Sequence, residues 1–346
     1  VENPKFLAGS EKEFFNFISN LTEKDKIALI THNDLDGVIS AKIVNECINV
    51  NFIEFIDYKD INEKLMKKIK LKKINKVIIT DIGINETNIK KIEKFSEVLI
   101  IDHHNFNFDF NSNKTSFINT DGFCASYSCY YLFSKIQNID FYDWLVACAC
   151  ISDFMEKNVP EFMSKTFKKY NENFSDNETA IQNTEILKIQ KELSLSLIYF
   201  EKNIKKVYES IGKKFGEIGN LSKYHKIINE EINKKVKEFY KKREIFNNIY
   251  FLELKSKYNI LSMLINELSM NEKNKVFIII SKYSKVYQIS ARNQEGDIDL
   301  PNLLKMLVNK FKNSGAGGHF HAAGGFFPVK YLPEFKKRLI NISKRL

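Results

Sequence analysis

The 346-residue chain is long enough for two domains, and its 44% hydrophobic and 28% charged composition is that of a globular protein rather than a disordered or fibrous one. No apolar run approaches the roughly 20 residues of a membrane span, and the opening Val1-Glu2-Asn3-Pro4-Lys5 lacks the basic-then-apolar layout of a signal peptide. A net charge of +10 suits a polyanionic partner, although lysine is spread along the whole chain and such an excess also serves plain solvation. The five cysteines, Cys47, Cys124, Cys129, Cys148 and Cys150, include no CxxC pair, which argues against zinc or redox work and points to a cytoplasmic protein.

In chain order, residues 11–22 carry Phe14, Phe15, Ile18 and Leu21 on one helical stripe. Ile27-Ala28-Leu29-Ile30-Thr31 is a continuous apolar run, the pattern of a strand covered on both faces. It ends in the polar His32-Asn33-Asp34-Leu35-Asp36-Gly37, after which Ile39, Ile43, Val44, Cys47 and Ile48 recur with a helical period. Further strands are expected at 52–56, 77–80 and 98–101, the last two ending in Asp81 and Asp102, with a Lys-rich helix after the first. Alternating strands and helices predict an α/β fold with a mainly parallel, Rossmann-like sheet. Ligands of such sheets sit at the carboxyl ends of the strands, so the polar strand ends share one crevice.

After the turn signal Asp121-Gly122, residues 124–136 and 140–152 read as helices, the second delivering Asp153. From about 160 to 245 the text turns to Lys, Asn and Glu with weak helical periodicity, broken by an expected loop at 171–177. Strands follow at 250–254, 275–282 and 285–291, and helices near 258–270, 300–312 and 331–344. Gly315 to Gly325 is glycine-rich and is read as a loop. The expected division is a domain at 1–160, a helical connector at 161–245 and a smaller α/β domain at 246–346, with the active site in the cleft.

Five of the six histidines fall in three short segments, at 32, 103–104 and 319–321, and only His225 stands alone. His32, Asp34, Asp36, Asp81, Asp102, His103, His104 and Asp153 are all expected on one crevice. Mixed carboxylate and imidazole donors suit Mn, Fe or Zn better than Mg alone. Each Asp could singly be a helix cap or a strand terminator. Convergence of four segments by capping alone is a poorer account. In the second half, glycines around His319 would let backbone N–H groups approach an anion closely.

These segments, His32-Asn33-Asp34-Leu35-Asp36-Gly37, Asp81, Asp102-His103-His104, Asp153 and the glycine-rich stretch, resemble in kind and order those of the DHH phosphoesterases that carry a DHHA1 domain. The resemblance covers nearly the whole chain. It implies two divalent ions, usually Mn2+ with Mg2+ as the alternative. His32, Asp34 and Asp81 would hold one, and Asp36, Asp81, His103 and Asp153 the other. Asp81 would bridge, His104 would face the phosphate, and Asp102 would orient a neighbouring imidazole. Arg292, which ends Ser290-Ala291-Arg292, would bind the far phosphate or nucleotide end with Gly317, Gly318 and His319; His321 has no assigned role. The His-x-Asp-x-Asp-Gly motif is closer to the single-strand exonuclease branch than to the nanoRNase branch, and Ala316 replaces a glycine of the usual run.

The expected activity is metal-dependent hydrolysis of terminal phosphodiester bonds in short RNA or DNA oligonucleotides or single-stranded nucleic acid, releasing mononucleotides. Phe106, Phe108 and Phe110 could offer stacking faces, although core packing is the better reading for some of them. The alternatives are a phosphoesterase of linear or cyclic dinucleotides or of nucleoside 3′,5′-bisphosphates, and a non-catalytic nucleic-acid-binding scaffold. No membrane partner is expected, and a homodimer is allowed.

Overall fold

The computed structural model describes residues 2–174 and 183–345. The chain divides into two units, Val1–His225 and Lys226–Leu346. In the first, strands β1 (Lys5–Ala8), β2 (Ile27–His32), β3 (Phe52–Ile56), β4 (Lys76–Thr80), β5 (Glu97–Asp102) and β6 (Thr115–Asp121) form one sheet in the order β1-β6-β5-β4-β2-β3. All neighbours pair in parallel except β1, which runs antiparallel to β6 along the edge. The helices α1 (Glu11–Ser19), α2 (Leu35–Cys47), α3 (Glu63–Leu71), α4 (Glu86–Glu93), α5 (Ala125–Phe133), α6 (Asp143–Ser152) and α7 (Pro160–Lys169) fill the connections.

The sheet is covered on both sides, as its apolar runs require. Leu29, Ile78, Leu99 and Ile101 belong to a core shared with α2, α5 and α6, whereas Ala28, Val77, Ile79 and Ile100 face a second core with α3 and α4. Beyond α7, the helices Glu185–Tyr199 and Lys205–Ser210 also give buried residues to the first core, among them Ile186, Leu193 and Val207. The expected loop at 171–177 is a turn at Asn171 followed by non-helical backbone to Phe174, and its remainder lies outside the described residues.

The helix Ser222–Lys242 leads into the second unit, whose sheet has the order β11-β12-β10-β9-β8-β7. Its strands are β7 (Glu244–Phe246), β8 (Ile249–Leu254), β9 (Val276–Tyr283), β10 (Val286–Arg292), β11 (Gly315–His319) and β12 (Ala322–Pro328). Only β8 and β9 pair in parallel. One face buries Phe251, Ile278, Ile280, Ile289 and Phe327 with the helices Leu300–Val308 and Leu332–Ser343. The glycine-rich stretch is therefore not a loop but the β11–β12 hairpin. Glycine weakens a strand without forbidding it, and here full cross-strand pairing from Gly315–Phe326 to His319–Ala322 holds it in place.

No helix among the described residues is long and apolar enough to cross a membrane. Cys124, Cys129, Cys148 and Cys150 are buried free thiols, and Cys47 is partly buried.

Candidate functional site

Parallel neighbours β5, β4 and β2 end side by side, so their last residues and those that follow share one edge of the sheet. His32 closes β2. Asp34 then caps α2, accepting the Gly37 N–H at 3.0 Å, and this cap turns the chain so that Asp36 points inward. Gly37 is obligatory, because a Cβ there would lie 2.3 Å from the His32 carbonyl oxygen. Thr31 Oγ1 donates to the Gly37 carbonyl at 2.9 Å and accepts from Thr80 Oγ1 at 2.8 Å, tying the ends of β2, β4 and α2 together.

Asp36 is fully buried, and its two oxygens accept the first N–H groups of α5, from Ala125 at 2.7 Å and Ser126 at 2.8 Å. A helix N-terminus is where a buried carboxylate is best stabilised. Asp81 follows β4 with φ +55°, a left-handed conformation that few side chains adopt. Asp102 closes β5, and Asp153 caps the C-terminus of α6.

The side chains converge in overlapping groups. His32, Asp34 and Asp81 form one, and Asp36, His103 and Asp153 another, with ligand atoms within 4.8 Å of one another in each. Asp81 links the two. Its Oδ1 lies 3.3 Å from His103 Nε2, and its Oδ2 lies 3.6 Å from His32 Nδ1. His103 Nε2 is also 3.8 Å from Asp36 Oδ2 and 3.7 Å from Asp153 Oδ2.

The donor set fits cations. Asp81 Oδ2 and His32 Nδ1 are buried without a hydrogen-bond partner among the described residues, although Asp34 Oδ2 stands 2.7 Å from that nitrogen without the alignment of a hydrogen bond. Unpartnered buried polar atoms are costly and rare. Burial, and then the charges of Asp34 and Asp36, push the Asp81 carboxyl well above the usual carboxylate range. Asp153 is raised by burial and then by Asp36 and Asp34. Burial pulls His32 down, but Asp34 and Asp81 outweigh it and lift the ring to about 10. Crowded carboxylates of this kind call for positive charge, and a divalent ion supplies more of it than a proton.

Asp102 is otherwise engaged. Its Oδ1 accepts from His103 N at 2.7 Å, His104 N at 3.1 Å and His104 Nδ1 at 2.6 Å, and its Oδ2 accepts from Ile82 N at 2.9 Å. It therefore orients His104 and holds the turn. Sequence reasoning missed Tyr58, whose hydroxyl meets His104 Nε2 at 2.8 Å and whose ring lies 4.8 Å from that of His32. A tyrosine in a Lys-rich connection carries no signal of this. Phe106 and Phe110 pack on Phe117, while Phe108 is 61% exposed.

In the second unit, Arg292, Ala322 and His319 are direct cross-strand partners on one face. Arg292 Nε donates to Asn266 Oδ1 at 2.8 Å, and burial lowers the guanidinium's pKa, with no carboxylate paired to it among the described residues. His321 lies within hydrogen-bonding distance of the Asn293 carbonyl, 2.9 Å from Nδ1, and its own carbonyl accepts the Asn293 N–H, so it fastens the hairpin tip to the end of β10. His225, in the helix Ser222–Lys242, belongs to neither cluster.

Known proteins agree with this architecture. The model of the DHH family N-terminal domain matches residues 26–143, and that of the DHHA1 domain matches residues 247–345. Among solved structures, exonuclease RecJ bound to manganese is similar over 100% of this chain and 96% of its own, at 12% identity and TM-score 0.70. RecJ in complex with Mn2+ from Thermus thermophilus is similar over 97% of this chain at 13% identity and TM-score 0.72, and the match spans 55% of that longer protein. CDC45 from Entamoeba histolytica is similar over 97% of this chain and 99% of its own, at 12% identity and TM-score 0.54. No curated protein sequence matches the chain. At these identities the structures speak for the fold, and with both family models matched, the chain belongs to the DHH family and carries a DHHA1 domain.

Proposed function

We propose that this protein is a divalent-metal-dependent phosphodiesterase that removes mononucleotides from the ends of short oligonucleotides or single-stranded nucleic acid. The observation that carries this reading is Asp81, whose two oxygens face two separate ligand groups, one around His32 and one around His103. His32, Asp34 and Asp81 would hold one ion, and Asp36, Asp81, His103 and Asp153 the second, with Mn2+ the expected metal and Mg2+ the alternative. Bound there, such ions acidify water and neutralise charge on a phosphoryl group.

The protein's own residues do the rest. Asp102 accepts from His104 Nδ1 in our assignment, which leaves Nε2, the nitrogen that Tyr58 reaches, turned away from Asp102 and toward substrate. Arg292 and His319, in the DHHA1 part, supply cationic and polar contacts to a phosphate, with Gly317 and Gly318 keeping backbone accessible beside them. The RecJ structures named above, one described as an exonuclease and both as bound to manganese, support the choice of reaction and metal.

The test is to incubate Mn2+-loaded protein with 5′- and 3′-labelled RNA and DNA of graded length, with dinucleotides alongside. Mononucleotide release that falls as the strand lengthens is the expected result. No cleavage of any linear strand would overturn the reading.

A further inference from the structure

Helix α6 ends in a Schellman turn. The Met155 N–H donates to the Cys150 carbonyl at 2.8 Å, and the Phe154 N–H to the Ile151 carbonyl at 3.3 Å. The residue just past the cap in such a turn is left-handed, and glycine or asparagine usually fills it. Here it is Phe154, with φ +57°. A bulky side chain in that conformation is strained. The other non-glycine residues with positive φ among the described residues are asparagines, lysines and a serine, all exposed, and Asp81, which stands in the ligand cluster. Phe154 alone among them is apolar.

Packing does not account for the phenylalanine. Its neighbours Ile151 and Met155 lie against the first core, whereas Phe154 belongs to no core among the described residues and is 73% exposed. An exposed aromatic residue needs no explanation by itself. One that also strains the backbone does, because glycine would end the helix better and no burial would be lost. The turn itself is fastened. Asn158 Nδ2 donates to the Gly122 carbonyl at 2.7 Å and to Met155 Sδ at 3.4 Å, which ties the turn to the residues preceding α5, the helix that holds Asp36. The ring therefore stands on a fixed support, one residue from Asp153, whose Oδ2 lies 3.7 Å from His103 Nε2 in the ligand cluster. Strained backbone gathers at functional sites, where the strain holds a group that the fold does not need.

We infer that the Phe154 ring is a stacking platform for the base of the nucleotide whose phosphate meets the Asp81 cluster, and so a positioning residue for substrate. The choice of a nucleotide rests on the proposed phosphodiesterase function; a cation-binding cluster next to a bare aromatic face recognises an anion joined to a flat ring. Every base has a face to stack, so Phe154 distinguishes a nucleotide from a sugar phosphate and not one base from another.

The experiment is a calorimetric titration of the full, Mn2+-loaded chain with AMP and with ribose 5-phosphate, which has the phosphate and sugar but no base. AMP should bind roughly tenfold more tightly. Phe154→Leu and Phe154→Gly should each erase that difference and leave ribose 5-phosphate unchanged, while Phe154→Tyr, which keeps the ring, should keep it. Phe154→Gly should also melt at a higher temperature than the wild type in EDTA, because φ +57° suits glycine. A residue that served only to hold the turn would give the opposite. Equal wild-type affinities for the two ligands, no binding of either, full AMP affinity in Phe154→Leu and Phe154→Gly, an equal loss of both ligands in those variants, or a lowered melting temperature in Phe154→Gly would each overturn the platform. A protein that discriminates AMP through Phe154 yet cleaves no strand contradicts only the proposed function, and one that cleaves strands without discriminating contradicts only the platform.

Discussion

The hydroxyl of Tyr58 stands 2.8 Å from His104 Nε2, on the opposite side of the ring from the Asp102 carboxylate that holds Nδ1 at 2.6 Å. The imidazole is therefore fixed at both nitrogens. Tyr58→Phe keeps the ring packing against His32 and removes only the hydroxyl. A neutral hydrogen bond is worth about 1 kcal/mol, so kcat/KM for an oligonucleotide should fall by roughly fivefold while Mn2+ affinity and the melting temperature hold. Loss of metal binding in this variant would show that Tyr58 supports the ligands rather than His104.

Asp102→Asn tests the four N–H groups that one carboxylate accepts. An amide offers a single acceptor oxygen, so its NH2 must face either Ile82 N–H or the three donors from His103 and His104. A buried donor left unsatisfied costs about 1–3 kcal/mol. The midpoint of urea unfolding should drop accordingly, and activity with it. An unchanged midpoint would mean that the turn after β5 does not depend on this side chain.

Gly37→Ala inserts a methyl group 2.3 Å from the His32 carbonyl oxygen, with the His32 carbonyl carbon and nitrogen at 2.8 and 2.9 Å. All three are backbone atoms, so the start of α2 must move away from β2. Overpacking of this order costs about 1–3 kcal/mol, and it displaces Asp34 and Asp36 together. Reduced melting temperature and weakened Mn2+ binding should appear in the same variant. Full retention of both would contradict the packing described.

Metal removal should make stability sensitive to pH in a known direction. Burial works against a charged His32, but Asp34 and Asp81 outweigh it and raise the ring from 6.5 to about 10. The folded protein therefore holds that proton more tightly than the unfolded chain does. Its contribution is fully present below pH 6.5 and is lost as the pH rises toward 10. Melting temperatures in EDTA should decline across that window, whereas saturating Mn2+, which takes the proton's place, should flatten the curve. A flat profile in EDTA would contradict the clustered charges.

The parts of this architecture that were legible in the sequence are those written locally. Continuous runs such as Ile27–Thr31 and Val98–Ile101 read as strands buried on both faces, and the His32 and Asp102 that end them follow from chain order alone. β6 was not legible, because Thr115-Ser116-Phe117-Ile118-Asn119-Thr120-Asp121 mixes polar residues into a strand whose exposed edge is covered only by β1. By sequence alone the β11–β12 hairpin reads as a loop, because glycine is the commonest punctuation, and only cross-strand pairing gives it extended form. The anchoring of Asp36 on α5 spans 89 and 90 residues of sequence, and the bond from Tyr58 to His104 spans 46. No local pattern can announce contacts of that range.

The central claim is that Asp81 stands between two cations, and the most direct measurement is the number of Mn2+ ions bound per chain, by calorimetry and by metal analysis after gel filtration, in the wild-type protein and in Asp81→Asn. The account predicts two ions in the wild type, with both sites weakened and hydrolysis lost in a variant that still melts cooperatively. Two ions retained with unchanged affinity, or turnover unaffected by the substitution, would contradict it.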